Sequence, residues 1–276
     1  MSAAVWFVSM ERPGSRAEWD CATLGPPDAT DLLPTRRPSS GDFSRHIPRR
    51  AHAATTGTTI ELESGLEHDL LRWLDQRADV TWLVAQPVRF HFPATGLRRA
   101  VAHTPDLLSQ HADGSVALWD ARPTERRTDD FLFKAAMTAE ACRRVGWSHE
   151  VFSGLPTATR MNLLWLNGYR RPMPWHPEWC REIESLLRLR PWTLGELRAR
   201  DDGSGELVAT LWHLIASGKI ECDLAAPIRE PSVLAWREDY PPISEDGRRA
   251  SAAPAVLDAI RTGDVLLSTR LRRAQL

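Results

Sequence analysis

Lysine is nearly absent from this chain: of 35 lysines and arginines, only Lys134 and Lys219 are lysine. We attribute the bias to codon composition, and it makes each lysine more informative than usual. Cysteine is also sparse. Cys21, Cys142, Cys180 and Cys222 stand singly, so no C-x-x-C pair supports a zinc ribbon or a dithiol redox centre, and the thiols read as buried or idle. Apolar runs are short: none approaches the roughly 20 residues of a membrane-spanning helix. The apolar opening patch meets Glu11, Arg12 and Pro13 rather than a cleavage-site pattern. The expectation is a cytoplasmic protein with no membrane attachment. The nine histidines form no H-x-x-x-H pair with an acidic neighbour, which sets a zinc hydrolase aside. No G-x-x-x-x-G-K followed by Ser or Thr is present, so the chain itself should bind no ATP through a P-loop. At a net charge of -1 there is no overall basic excess, and binding a polyanion would need a local patch.

What is present suffices for a substantial core: 276 residues, 42% hydrophobic, suit one large domain or two modest ones with tails. Residues 1–50, punctuated by Pro-Gly, Pro-Pro and Arg-Arg-Pro-Ser-Ser-Gly, read as an irregular basic arm. Its arginines, Arg36, Arg37, Arg45, Arg49 and Arg50, either lie along a phosphate backbone or are simply solvated. From Thr58 the pattern sharpens into a unit spanning 51–172. Ser64 caps a helix with Glu67 at its third position, and Leu66, Leu70, Leu71 and Leu74 recur at helical spacing to about Ala78. Val80 to Phe92 reads as one long strand, with Pro87 marking an edge or a bulge. Turns at 93–96 and 112–114 then join strands at 99–109 and 115–122 into an antiparallel meander. A helix from Asp129 or Asp130 closes at Gly146, and Trp147 to Phe152 returns as a short strand beside the sheet. The fold class is α/β, a mixed sheet flanked by helices.

That order brings acidic residues from three elements toward one place. Asp106 follows a proline near a strand end. Asp120 lies on the neighbouring strand, with Arg122 on the same face because strand side chains repeat every two residues. Alone, Glu67 reads as a capping residue and each aspartate as a turn or salt-bridge residue. Together they form an oxygen-donor set for a hard divalent cation, and Mg²⁺ needs only one or two carboxylates, completing its shell with water and phosphate. The chemistry implied is phosphodiester hydrolysis, with the metal polarising the phosphate and acidifying a water. His103, close before Asp106, either stands near such a site or packs.

Four motifs carry a resemblance. Ser64-Gly-Leu-Glu67, Gln86-Pro87, Thr104-Pro-Asp106-Leu-Leu and Asp120-Ala-Arg122-Pro123 resemble, in order, the S-x-L-E helix, strand, P-D motif and acid-x-Lys-Pro of the TnsA-type endonuclease subunit of heteromeric transposases. That family has the PD-(D/E)XK, restriction-endonuclease-like fold, and the match covers roughly residues 45–155. The resemblance implies Mg²⁺ or Mn²⁺ held by Glu67, Asp106 and Asp120. It also implies DNA at a transposon end as substrate, a DDE-type transposase that cuts the other strand, and an AAA+ ATPase regulator. One departure stands out. Arg122 replaces the family lysine, and a guanidinium stays protonated and cannot act as a general base. Lys134, on the next helix, is the candidate to reach back into the site; otherwise it is a surface lysine.

Beyond Phe152 come a helix ending near Gly168 and a proline- and tryptophan-rich hinge. A unit at 178–230 follows, with helices at 178–189 and 206–217, a capping box at Thr193 and Glu196, and a strand from Ile220. It resembles a winged helix-turn-helix. Glu206, Thr210 and His213 on the longest helix are poor base readers, so partner docking is expected there rather than sequence recognition. Residues 231–276 read as a C-terminal extension with a helix at 253–261. Three functions are compatible with the sequence. They are a transposase endonuclease subunit, a nuclease-fold subunit for DNA binding or assembly whose Arg122 has ended cutting, and a stand-alone defence or repair nuclease.

Overall fold

The computed structural model describes the strand backbones of residues 4–9 and 17–19, and residues 25–35, 49–92, 100–171 and 173–238. It is a mixed α/β structure, as the alternation of helical and strand periodicities predicts.

The chain opens with β1 (Ala4–Ser9), β2 (Ala17–Trp19) and β3 (Leu32–Leu33). The opening 50 residues are therefore not irregular throughout: the Val- and Trp-rich β1 pairs antiparallel with β7 (Val88–Phe92). Arg36, Arg37 and Arg45 lie outside the described residues. β4 (Arg49–Ala53) and β5 (Thr58–Leu62) form a hairpin, in which Arg50 pairs with Glu61. The helix α1 (Gly65–Gln76) follows, and β6 (Val80–Ala85) leads to β7.

The expected long strand at 80–92 is two strands in two sheets. Gln86 takes a left-handed φ of 47°, uncommon outside glycine, and with Pro87 it redirects the chain from β6 into β7. The strand expected at 99–109 is split likewise, into β8 (Val101–His103), paired with β7, and β9 (Leu107–His111), with Thr104-Pro105-Asp106 between them. β10 (Val116–Ala121) pairs antiparallel with β9, which pairs antiparallel with β6. After α2 (Asp129–Arg144), β11 (Ser148–Phe152) joins β10 in parallel. The sheet β11-β10-β9-β6 is thus mixed, and a second sheet, β2-β1-β7-β8, stands beside it.

Period-two alternation gives the mixed sheet two apolar faces. On one, Leu83, Leu107 and Phe152 pack against Leu70, Leu71 and Leu74 of α1, and Trp73 stacks on Phe152 with centroids 6.0 Å apart. On the other, Val84, Leu108 and Leu118 meet Cys142 of α2 and Phe90 and Phe92 of β7. The α2 cap is Thr128, whose hydroxyl accepts from Phe131 N–H, rather than Asp129 or Asp130.

The C-terminal unit is built from α3 (Thr157–Leu166), α4 (His176–Leu189), β12 (Trp192–Thr193), α5 (Leu194–Arg198), α6 (Glu206–Ala216), β13 (Ile220–Cys222) and β14 (Val233–Trp236). The Thr193–Glu196 capping box is formed. β14, expected to open an extension, is the central strand of the sheet β12-β14-β13. Its Leu234 is fully buried in this unit's core. The helix expected at 253–261 lies outside the described residues. Within this unit Asn162 Nδ2 donates to the carbonyls of Leu224 (3.0 Å) and Ala226 (2.7 Å), and polar contacts join the two halves: Arg170 pairs with Asp75 of α1, and Gln76 Nε2 of α1 donates to Ile215 O at 3.3 Å. A cleft of about 400 Å³ lies between the halves, lined by residues including Trp73, Arg77, Leu163, Ile215 and Arg237. It includes none of Glu67, Asp106 or Asp120. No described helix is long and apolar enough to cross a membrane.

Candidate functional site

Glu67 sits in the first turn of α1, where Ser64 Oγ accepts from its N–H at 3.2 Å. Its carboxylate does not close the expected box on Ser64. Glu67 Oε2 instead accepts from Glu63 N–H, one residue further back, at 2.8 Å. The side chain is buried and on the helix's N-terminal end, a position that favours negative charge.

Asp106 occupies the turn between β8 and β9. Its backbone is pinned on both sides: Gln86 N–H donates to its carbonyl at 2.9 Å, and its own N–H donates to Trp119 O at 2.8 Å. Its carboxyl accepts from Ala121 N–H at 2.7 Å, and among the described residues no arginine or lysine pairs with it. Burial and the negative charges of Glu67 and Asp120 push this carboxyl well above the ordinary carboxylate range, and Glu63 adds to them. Glu67 of α1 and Asp120 of β10 therefore both act on Asp106 in its turn.

Asp120, near the end of β10, is 3% exposed. Strand alternation turns it to the face shared by Leu118 and α2 rather than directly toward α1. There His103 Nε2 donates to Oδ1 at 3.1 Å and His149 Nε2 to Oδ2 at 2.9 Å. Burial alone would raise this carboxyl, but the hydrogen bonds and charges of the two histidines outweigh it and hold it below the ordinary range. Because a carboxylate only accepts, the hydrogen in each contact belongs to the imidazole.

Arg122 follows on the same face. Its guanidinium lies 5.2 Å over the Phe131 ring of α2, and its buried Nε has no hydrogen-bond partner among the described residues. Arg127 turns inward to Val151 O and Ser153 Oγ. Lys134 is not brought onto the carboxylates: its ammonium pairs with Asp130 at 2.6 Å, one helical turn away.

Sequence reasoning missed Glu63 and His149, and it left His103 undecided. Glu63 carries a faint signal, an acid next to a cap and four residues from Glu67. His149 carries none, since its partner is 29 residues away on a neighbouring strand. Gln86, singled out in sequence only as part of the Gln86-Pro87 strand motif, is 2% exposed with a left-handed φ, and among the described residues both polar atoms of its side-chain amide lack hydrogen bonds.

Asp106 adds a half-buried acid to two buried acidic neighbours, Glu67 and Asp120, and a divalent cation would relieve that repulsion. Backbone N–H groups fix one oxygen each of Glu67 and Asp106. Among the described residues no three His, Cys, Asp or Glu side chains form a ready metal cage. No protein-family model matches this chain, and no curated protein matches it.

Proposed function

We propose that this chain is a Mg²⁺- or Mn²⁺-dependent DNA endonuclease with a restriction-endonuclease-like unit, serving as the nicking subunit of a heteromeric transposase. One observation supports this above the rest: acids from three separate elements converge on Asp106, whose carboxyl is driven up by burial and by its acidic neighbours. A carboxyl so placed is a poor structural anchor and a good cation ligand. Glu67, Asp106 and Asp120 would hold the cation, which when bound would polarise the scissile phosphate and acidify a water.

The chain's own residues supply the rest. Ala121 N–H orients Asp106, and Glu63 N–H orients Glu67. Arg122, with only the Phe131 face for company among the described residues, offers its fork of donors to phosphate oxygens and takes no proton. Lys134 would contribute a second cation by leaving Asp130, a partly exposed pairing of the kind worth little in water. Support for a winged-helix-like C-terminal unit comes from its order, α4, α5 and α6 followed by β13 and β14. Its exposed Arg190 and Arg198 are tied to glutamates, which favours a protein partner such as the transposase or an AAA+ regulator over DNA.

The test is nicking of transposon-end DNA in Mg²⁺ or Mn²⁺, with and without those partners, by the unsubstituted chain and by Asp106→Asn. Metal-dependent nicking that Asp106→Asn abolishes is expected. The permanently protonated Arg122 favours one second reading, a nuclease-fold assembly subunit, which complete inactivity under every condition would support.

A further inference from the structure

We infer that His103 and His149 are positioning residues that hold the Asp120 carboxylate in one orientation beside Asp106, ready to receive a cation. The inference rests on the nuclease reading above. The clamp is built from four elements. Asp120 is on β10, and His149 is on its parallel neighbour β11, where Leu118 is its register partner. His103 comes from β8, a strand of the other sheet, and its second ring nitrogen, Nδ1, hydrogen-bonds Thr138 Oγ1 of α2 at 2.7 Å. The rings stand nearly perpendicular, at 83°, one on each carboxylate oxygen. The His149 side chain is 2% exposed and that of His103 11%, so neither is a loose surface contact.

Burial alone does not call for this arrangement. Elsewhere the chain meets the same need with arginine: Asp69 is paired with Arg72 and Arg160, and Asp75 with Arg170. A guanidinium carries a permanent charge and would neutralise the carboxylate it holds. Two imidazoles fix the geometry without a permanent countercharge, and each carboxylate oxygen keeps a second lone pair for another partner. Asp120 is thus oriented and still able to accept, as hydrogen-bonded metal carboxylates are.

The test is Mn²⁺ binding to the full-length chain without DNA, followed by calorimetry. We expect His149→Ala to weaken binding by about 10- to 100-fold. His149→Gln, whose amide nitrogen can reach the same oxygen, should recover most of the loss. If His149→Ala does not fold, Thr138→Val removes the outer tether of His103 at nearly constant volume, and a several-fold loss is expected. Unchanged Mn²⁺ affinity in the folded variants, alongside loss of binding in Asp106→Asn, would overturn the clamp alone. Unchanged affinity in Asp106→Asn as well would overturn the nuclease reading and the clamp with it.

Discussion

Two regions, one exposed face of the C-terminal unit and the surroundings of Asp106, handle charge in opposite ways. In the C-terminal unit, three exposed arginines are matched with glutamates: Arg188 with Glu184 and Glu238, Arg190 with Glu196, Arg198 with Glu230. In the first unit, buried acids crowd around Asp106 while Arg122, on the adjoining strand end, forms no ion pair among the described residues. The contrast recurs within α1, whose Asp69 and Asp75 are held by arginines. Charges matched inside the chain serve its structure. In the proposed function, the charges left to repel around Asp106 would be completed by a cation, and Arg122, without an ion pair among the described residues, by a phosphate.

Substitutions can break the contrast. Asp106→Asn should have the largest effect, lowering metal-dependent nicking by more than about 100-fold, because it removes a ligand rather than a residue behind one. Arg170→Met should instead act on folding. It strands the buried Asp75 charge, and chemical denaturation should show a loss of about 3 kcal/mol, with Mn²⁺ affinity unchanged. Arg122→Ala should weaken DNA binding at every sequence and reduce the salt dependence of log K by about one phosphate contact. Gln86→Gly should raise the melting temperature, since it relieves a left-handed residue and removes an unsatisfied buried amide; an unchanged or lower value would show that packing by this side chain outweighs both. The smallest effect is expected for Arg190→Ala and Arg198→Ala, exposed pairs worth about 0–1 kcal/mol. DNA affinity should not change, and a clear loss would place DNA on the C-terminal unit and dissolve the comparison.

The two regions also differed in how much the sequence disclosed. Local chemistry was readable. The Ser64 and Thr193 caps, the α1 leucines and the parallel return of β11 each follow from spacing within a few residues or from order along the chain. The 80–92 and 99–109 stretches each read as a single strand because β-formers continue on both sides of each break. A positive φ at a glutamine leaves no mark in composition. β1 was lost because its pairing with β7 spans about 80 residues, and β14 because only tertiary pairing shows it to be the centre of its sheet. At the candidate site the sequence points to the three acids by type and order. It does not point to their second partners: His149, Ala121 N–H and Glu63 N–H meet them only in three dimensions.

The central claim is that Asp106 is held among acids for the sake of a cation, and linkage gives it a direct measurement. A carboxyl raised in the folded state lends stability below its unfolded value, near 4, and that stability is lost as pH rises through the folded value. Asp120, held low, has the opposite sense: its contribution is present above the unfolded value and disappears as pH falls through the folded one. The measurement is thermal melting of the full-length chain and of Asp106→Asn in neutral to mildly alkaline buffer, first metal-free and then across a Mn²⁺ titration. Without metal, Asp106→Asn should melt higher, since it removes a disfavoured charge. With Mn²⁺ the order should reverse, because only the unsubstituted chain is stabilised by binding. Equal Mn²⁺ responses in the two proteins, or no response in either, would contradict the account.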